Sequence, residues 1–132
     1  MLTDREIIAT LEMLRNEHLD VRTVTLGVSL LDCATHDLDR LQNNIRFRIK
    51  HLAENLVAVC DRIGDKYGIP VVNKRISVSP IAVVAAPFKP EELVRVAKTL
   101  DEVAAAVGVD FIGGFSALVE KGTARGDRAL ID

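Results

Sequence analysis

The stretch "VVNKRISVSP", Val71 to Pro80, predicts a β-strand with two unlike faces. Successive side chains of a strand point to opposite sides, so its residues separate into two sets. One set is largely apolar: Val72, Lys74, Ile76 and Val78. The other set is largely polar: Val71, Asn73, Arg75, Ser77 and Ser79. We therefore expect helices to cover the first face and a different environment to meet the second.

A second strand, "DVRTVTLGVSLLD" at residues 20–32, shows the same division. Its apolar set is Val24, Leu26, Val28 and Leu30. Its polar set is Thr23, Thr25, Gly27 and Ser29. Parallel strands are usually covered by helices on both sides and are then apolar throughout. The polar set could line the inside of a wide α/β barrel or a deep crevice that binds a ligand, or it could simply meet water on an open sheet.

Helical patterns separate the strands. Residues 3–18 begin with Thr3 and Glu6 at capping-box spacing and continue with an apolar stripe at Ile7, Leu11 and Leu14. From residue 37, apolar positions recur every three or four residues as far as Tyr67, which predicts one amphipathic helix of about eight turns. Leu41, Ile45, Leu52, Leu56 and Val59 belong to this stripe and are expected to pack on the sheet.

The remaining pattern completes an alternating order. Pro90 starts a helix that Gly108 ends, and a short strand reaches Ile112 before a Gly-Gly turn and a short helix from Phe115. The order αβαβαβ predicts an α/β fold whose parallel strands are joined by right-handed helical crossovers. With 132 residues and no linker composition, residues 1–132 are expected to form a single α/β domain.

Composition narrows the class of protein. Hydrophobic residues make up 48% of the chain but aromatic residues only 4%, so the core must consist of Val, Leu, Ile and Ala. The net charge of −2 argues against a nucleic-acid partner, which usually requires a basic surface. The longest apolar stretch, "IAVVAAPF" at residues 81–88, is too short to span a membrane. Cys33 and Cys60 lack CxxC or zinc-ligand spacing, which favours reduced thiols in a cytoplasmic protein.

Several polar residues are candidates for binding an anion. Arg75 would need a counter-charge if its face were enclosed, because an isolated buried guanidinium is costly. A carboxylate or phosphate ligand would supply that charge, and so would Asp32, which is the plainer alternative. Gly113 and Gly114 precede a possible helix start that could bind an anion, although a tight turn explains them equally well. The predicted ligand-binding residues are Ser29, Asn73, Arg75, Ser77, Gly113 and Gly114.

Cys33 is the candidate nucleophile. It follows a strand, has Asp32 as its neighbour and lies close to His36, so a thiolate with an acid or base beside it is conceivable. Cys33 and Asp32 are therefore the predicted catalytic residues. A small buried residue at a strand end is the competing interpretation. The spacing of Asp32, Cys33 and His36 matches no metal motif, so no metal site is predicted.

Three segments resemble a known family: "TLGVSLLDC" (25–33), "VVNKRISVSP" (71–80) and "GVDFIGGFSALVEKG" (108–122). They are similar to the N-terminal third of an uncharacterised pyruvate formate-lyase-like family, a domain of unknown function. The resemblance implies an α/β barrel of about ten strands and homo-oligomers, and it implies no established reaction. Because members are several hundred residues long, we expect this chain to be a fragment or shortened version of the barrel.

Two classes of function follow from these observations. The first is an enzyme that acts on a small anionic metabolite bound by the face that carries Arg75. The second is a ligand-binding or regulatory module that uses the same face without catalysis. No cofactor is indicated. Three strands with a polar face bury too little apolar surface to be stable alone, so we expect self-association or association with the missing remainder of the barrel.

Overall fold

The computed structural model describes residues 3–16 and 21–132, and three parallel strands form its centre. The strands are β1 (Val21–Val28), β2 (Val71–Val78) and β3 (Phe111–Gly113). The helices are α1 (Asp4–Arg15), α2 (Leu38–Ala53), α3 (Leu56–Tyr67), α4 (Ile81–Val84), α5 (Pro90–Val107) and α6 (Arg125–Ile131). A short 3-10 turn, Leu31–Cys33, follows β1.

The sheet has the order β1-β2-β3 and both pairs are parallel, which confirms the α/β class and the parallel strands. In a parallel pair, residues that lie side by side point to the same face of the sheet. The register pairs Thr23 with Asn73, Thr25 with Arg75 and Gly27 with Ser77. The predicted common polar face is therefore confirmed. These residues form one open three-stranded sheet, and the ten-stranded barrel stays a prediction.

The opposite face of the sheet carries the core. Ile76 and Val78 are buried there, and the neighbouring residues of β1, Leu26 and Val28, are half-buried and buried respectively. From α2, a row of residues with four-residue spacing is completely buried: Leu41, Ile45, Ile49 and Ala53. Because the chain has so few aromatic residues, the burial of these aliphatic side chains is its main source of hydrophobic stabilisation.

The predicted long helix is in fact two helices. The helix α2 ends at Ala53, Glu54 and Asn55 form a turn, and α3 begins at Leu56. Because Ala53 continues the buried row, Leu52 lies to one side of it and is 48% exposed, so the prediction that Leu52 packs on the sheet is wrong. Leu56 packs against the core and is partly buried, while Val59 is only half-buried.

Residues with strong capping preferences lie at the ends of three helices. Thr3 and Glu6 form the capping box at the start of α1. Gly68 and Gly108 end α3 and α5 in the left-handed conformation, with φ of 67° and 76°. The apolar stripe of α1, by contrast, does not reach the core, since α1 has no buried residue. No helix in residues 3–16 and 21–132 is both long and apolar enough to cross a membrane.

A buried polar pair joins α2 to α5. The Gln42 amide nitrogen donates to the Thr99 hydroxyl over 2.7 Å, and both residues are buried. The Gln42 amide oxygen accepts from the Arg95 guanidinium over 2.7 Å, and Arg95 also pairs with Asp39. These bonds pair the polar atoms that the interface buries and so offset the cost of their desolvation, which allows the two helices to pack closely.

We expect Gln42→Ala to lower the free energy of unfolding by about 1–3 kcal/mol, because it removes buried hydrogen bonds and leaves a small cavity. Urea denaturation measures this change. Asn43→Ala, on the exposed side of the same helix, is the matched control and should change stability by less than about 0.5 kcal/mol. Equal effects of the two substitutions would show that the buried pair contributes little.

Candidate functional site

The polar sheet face consists of Thr23, Thr25, Gly27, Asn73, Arg75, Ser77, Phe111 and Gly113. Thr25, Gly27 and Ser77 are exposed, and Ser29 is exposed just beyond the end of β1. The helices α2 and α5 contribute their buried residues to the opposite side, together with Ile76 and Val78. The structure thus brings the strand residues of the predicted binding site together on one accessible surface.

Arg75 is the charged residue of this face. Its neighbours across the strands are Thr25 on one side and Phe111 on the other. The guanidinium carbon lies 5.7 Å from the centroid of the Phe111 ring, a cation–π contact that restrains the side chain. The Arg75 Nε is buried and has no hydrogen-bond partner among the described residues. A buried donor without a partner is costly, and such atoms are rare in native proteins.

The predicted pairing of Arg75 with Asp32 does not occur. Asp32 lies in the turn after β1, where its carboxylate accepts a 3.5 Å hydrogen bond from Arg48 of α2. The Asp32 side chain is 81% exposed, so this ion pair adds little to stability. Among the described residues, Arg75 is in no ion pair. The plainer alternative for its counter-charge is therefore wrong.

Cys33 lies on the other side of the sheet, in the hydrophobic core. Its side chain is buried, and its carbonyl oxygen accepts a hydrogen bond from the Asn44 amide. Burial raises the pKa of the Cys33 thiol, and the nearby Arg48 guanidinium only partly opposes that effect. This environment favours a packed thiol over a reactive thiolate. The predicted catalytic pair, Cys33 and Asp32, thus lies apart from the polar sheet face.

The Gly113–Gly114 turn has a structural explanation. The Gly114 carbonyl accepts hydrogen bonds from the amides of Ile81 and Ser116, and its φ is +120°. A Cβ at Gly114 would lie 2.5 Å from the Val78 carbonyl oxygen, so the backbone passes close to β2. The predicted helix from Phe115 is wrong, since residues 114–119 have no regular structure. Without that helix, the proposed anion site at its start is absent from this turn.

Two residues of this region were missed by sequence reasoning. Phe111 was assigned only to a strand, although its alternation with Gly113 would have placed it on the face that carries Arg75. Arg48 lies on α2 outside the buried row, and no local pattern connects it to Asp32. The remaining predicted site residues, Asn73 and Ser77, lie on either side of Arg75 along β2 on the same face.

We expect Cys33 in the native chain to react with iodoacetamide at least about tenfold more slowly than a free cysteine at pH 8, because it is buried and its pKa is raised. Peptide mass spectrometry after a short pulse measures the reaction. In urea, Cys33 and Cys60 should react at similar rates, which provides the control. Rapid native modification of Cys33 would restore it as a nucleophile candidate.

Substitutions at the two glycines should differ sharply. Gly114→Ala forces a Cβ against the Val78 backbone at a left-handed φ, and we expect a loss of at least about 2 kcal/mol in the free energy of unfolding. Gly113→Ala meets only the Phe111 ring, at 3.2 Å, which a small ring movement relieves. Thermal denaturation of both variants tests this difference, and equal losses would contradict the close backbone approach at Gly114.

Comparison with known proteins gives consistent matches over the chain. The family model described as "Uncharacterised ACR (DUF711)" matches residues 12–132. A "UPF0210 protein" of Desulfovibrio desulfuricans is 70% identical over 132 residues, all of this chain and 29% of the relative. A "UPF0210 protein" of Streptococcus equi subsp. zooepidemicus is 51% identical over 128 residues, and one of Methanosarcina mazei is 48% identical over 132.

These relatives are much longer than the chain, which covers 29% of each of them. Their names state no reaction, ligand or partner, and the resemblance to a pyruvate formate-lyase-like family stays a prediction. The family match covers nearly all of the chain and includes all three strands. The chain therefore belongs to the uncharacterised DUF711 family, and it is similar over its whole length to the N-terminal part of UPF0210 proteins.

Proposed function

We propose that this chain supplies one wall of a binding site for a small anionic molecule, and that Arg75 is the main contact. The proposal rests on the guanidinium of Arg75, whose charge and buried Nε have no described partner on the polar sheet face. It is the charged side chain of that face, it pairs with no described carboxylate, and its buried Nε has no described hydrogen-bond partner. A ligand carboxylate or phosphate would satisfy this guanidinium.

The surroundings of Arg75 fit an anion better than a second cation or an apolar ligand. Thr25 and Ser77 place exposed hydroxyl groups beside it, and hydroxyl groups can donate to the oxygens of an anion. The Phe111 ring holds the guanidinium from the other side, so less side-chain entropy is lost on binding. Arginine also binds carboxylates through two parallel N–H donors, which lysine cannot do.

A binding role fits the chain better than a complete catalytic centre. Cys33 is packed on the far side of the sheet, and Asp32 pairs with Arg48. No described residue of the polar sheet face is an acid, a base or a thiol. The alternative, an enzyme that acts on the same anion, requires reacting groups from outside the polar sheet face. We propose that, in the longer relatives, the additional residues complete an α/β barrel around this face. We also propose that the protein is a cytoplasmic homo-oligomer.

The direct test is a titration of the 15N-labelled chain with acetate, benzoate and inorganic phosphate at low salt, followed by NMR. Binding at the proposed site should shift the amide signals of Thr25, Arg75 and Ser77. Arg75→Met should weaken binding by about ten- to a hundredfold, the range expected when a charge-assisted hydrogen bond is lost. Arg75→Lys should weaken binding less, because lysine keeps the positive charge although it lacks the two parallel N–H donors of arginine.

Arg40→Met is the matched control, since Arg40 is exposed on α2, away from the sheet, and its loss changes the net charge equally. It should leave the titration unchanged. The amide spectrum of Arg75→Met must keep the dispersion of the folded chain. If no anion shifts these amides, or if Arg75→Met and Arg40→Met weaken binding equally, Arg75 is a structural residue and the proposal is wrong.

A further inference from the structure

A row of three small residues crosses the polar sheet face next to Arg75. The register sets one residue of each strand side by side in this row: Gly27, Ser77 and Gly113. The row lies just beyond Arg75 towards the carboxyl ends of the strands, which is the end where parallel α/β sheets bind ligands. Neighbouring strands are about 4.8 Å apart, so the row is about 10 Å wide. We call it the small-residue row.

Gly27 lacks the structural reason that Gly114 has for being a glycine. The pairing of β1 with β2 continues through Gly27 from Leu26 to Val28, so Gly27 marks no bulge, and its φ is not positive. Apart from its chain neighbours, a Cβ built on Gly27 would have no heavy atom of the described residues within 4 Å. Glycine weakens the interior of a strand, and it often marks a place where a ligand approaches the backbone. Gly27 therefore leaves open space over the sheet beside Ser77.

The Phe111 ring borders this space on the side of β3. A Cβ at Gly113 would lie 3.2 Å from a carbon of the ring, so the ring leans towards the small-residue row. The ring also contacts the Arg75 guanidinium, and yet Phe111 is 57% exposed. Aromatic rings pack favourably against other rings, either offset or edge to face. The exposed Phe111 ring thus offers an apolar surface to a flat, apolar group of a ligand.

The charge of the polar sheet face matches one carboxylate. Arg75 is the charged residue among those that form this face, and its guanidinium carries a single positive charge. A carboxylate has a single negative charge and two oxygens, which fit the paired N–H donors of a guanidinium. A phosphate monoester carries about −1.5 to −2 charges at pH 7, and one guanidinium would leave part of that charge unneutralised. Charge complementarity therefore favours a monocarboxylate.

We propose that the anion bound by Arg75 is a planar monocarboxylate of the aromatic type, whose flat ring lies on the small-residue row against Phe111. This inference rests on the proposed anion site and adds the chemical class of its ligand. The carboxylate contacts the Arg75 guanidinium, and the ring of the ligand covers Gly27 and Ser77, the smallest residues of the face. A flat ring contacts the exposed backbone there over its whole area, whereas a puckered ring contacts it through a few atoms. The small-residue row therefore favours flat ligands.

NMR titrations of the 15N-labelled chain at low salt test the ligand class with four probes: acetate, benzoate, cyclohexanecarboxylate and phenyl phosphate. Benzoate should bind about tenfold more tightly than acetate, which corresponds to the burial of a few apolar carbon atoms. It should bind at least about threefold more tightly than phenyl phosphate, and than cyclohexanecarboxylate, which is more apolar but not flat. Benzoate should also shift the amide signals of Gly27 and Gly113 in addition to that of Arg75.

Gly27→Val fills the open space with a β-branched side chain, which strands favour, so the chain should stay folded. It should abolish the preference for benzoate over acetate and change acetate binding by less than about twofold. Ala105→Val adds an exposed apolar side chain on α5, on the other side of the sheet, and should change neither. If the Gly27→Val spectrum lacks the dispersion of the folded chain, Gly27→Ala decides, and it should lower the preference by at least about twofold.

Three results would overturn this inference: equal affinities for benzoate and acetate, tighter binding of phenyl phosphate or cyclohexanecarboxylate than of benzoate, or a benzoate preference unchanged in a folded Gly27 variant. In each of these cases, acetate binding that depends on Arg75 would leave the proposed anion site intact. If none of the four probes binds, the anion site itself is wrong and the inference fails with it.

Discussion

The pairing of β1 with β2 is the constraint on which the rest of the structure depends. One register places Ile76 beside Leu26 and Val78 beside Val28 on the side of the helices. The same register places Arg75 beside Thr25 on the side without them. A shift by a single residue would exchange the two faces, burying a guanidinium and exposing the core. The core and the proposed site are therefore two results of the same set of backbone hydrogen bonds.

Adjacent cations of β2 show how different the two faces are. Lys74 points towards the helices, where its ammonium group pairs with Asp61 of α3 over 3.1 Å. Its backbone amide also donates to the Asp110 carboxylate. Arg75, the next residue, has a buried Nε without a described partner. On the helical side the polar groups that join elements are paired, as Gln42 and Thr99 also are. The unpaired donor lies on the face where a ligand could reach its guanidinium.

The sequence predicts the strands well and the helices less well, for physical reasons. A period of two is clear in β1 and β2, because apolar residues alternate with polar residues or glycine at residues 23–28 and 75–78. The turn at Glu54–Asn55 was not predictable from periodicity, since apolar residues continue at helical spacing on both sides of it. The same limitation explains why Leu52 was wrongly predicted to pack on the sheet, because the neighbouring residues Leu52 and Ala53 both fit the apolar spacing.

Polar contacts between residues far apart in the chain were harder to predict from the sequence than the helices and strands. Asp32 and Arg48 come together because α2 packs beside the turn after β1, and that packing depends on the whole core. The local sequence around Cys33 suggested a reactive thiol, whereas burial among distant residues raises the pKa of this thiol. The predicted positions of the β1 and β2 residues on the polar sheet face were correct, because they required only strand alternation. Predicting which residues contact this face would have required the tertiary structure.

The parallel register also has a consequence for how the chain folds. Residue 21 pairs with residue 71, and residue 75 pairs with residue 111, so no strand pairs with a near neighbour in sequence. Closing such long loops costs chain entropy before any strand hydrogen bond forms, and proteins dominated by distant contacts fold slowly. The strand β1 therefore has no strand partner until the two ends of residues 29–70, which include α2 and α3, have come together. During that interval the alternating Thr and Val residues of β1 are an unprotected edge, so association between unfolded chains competes with folding.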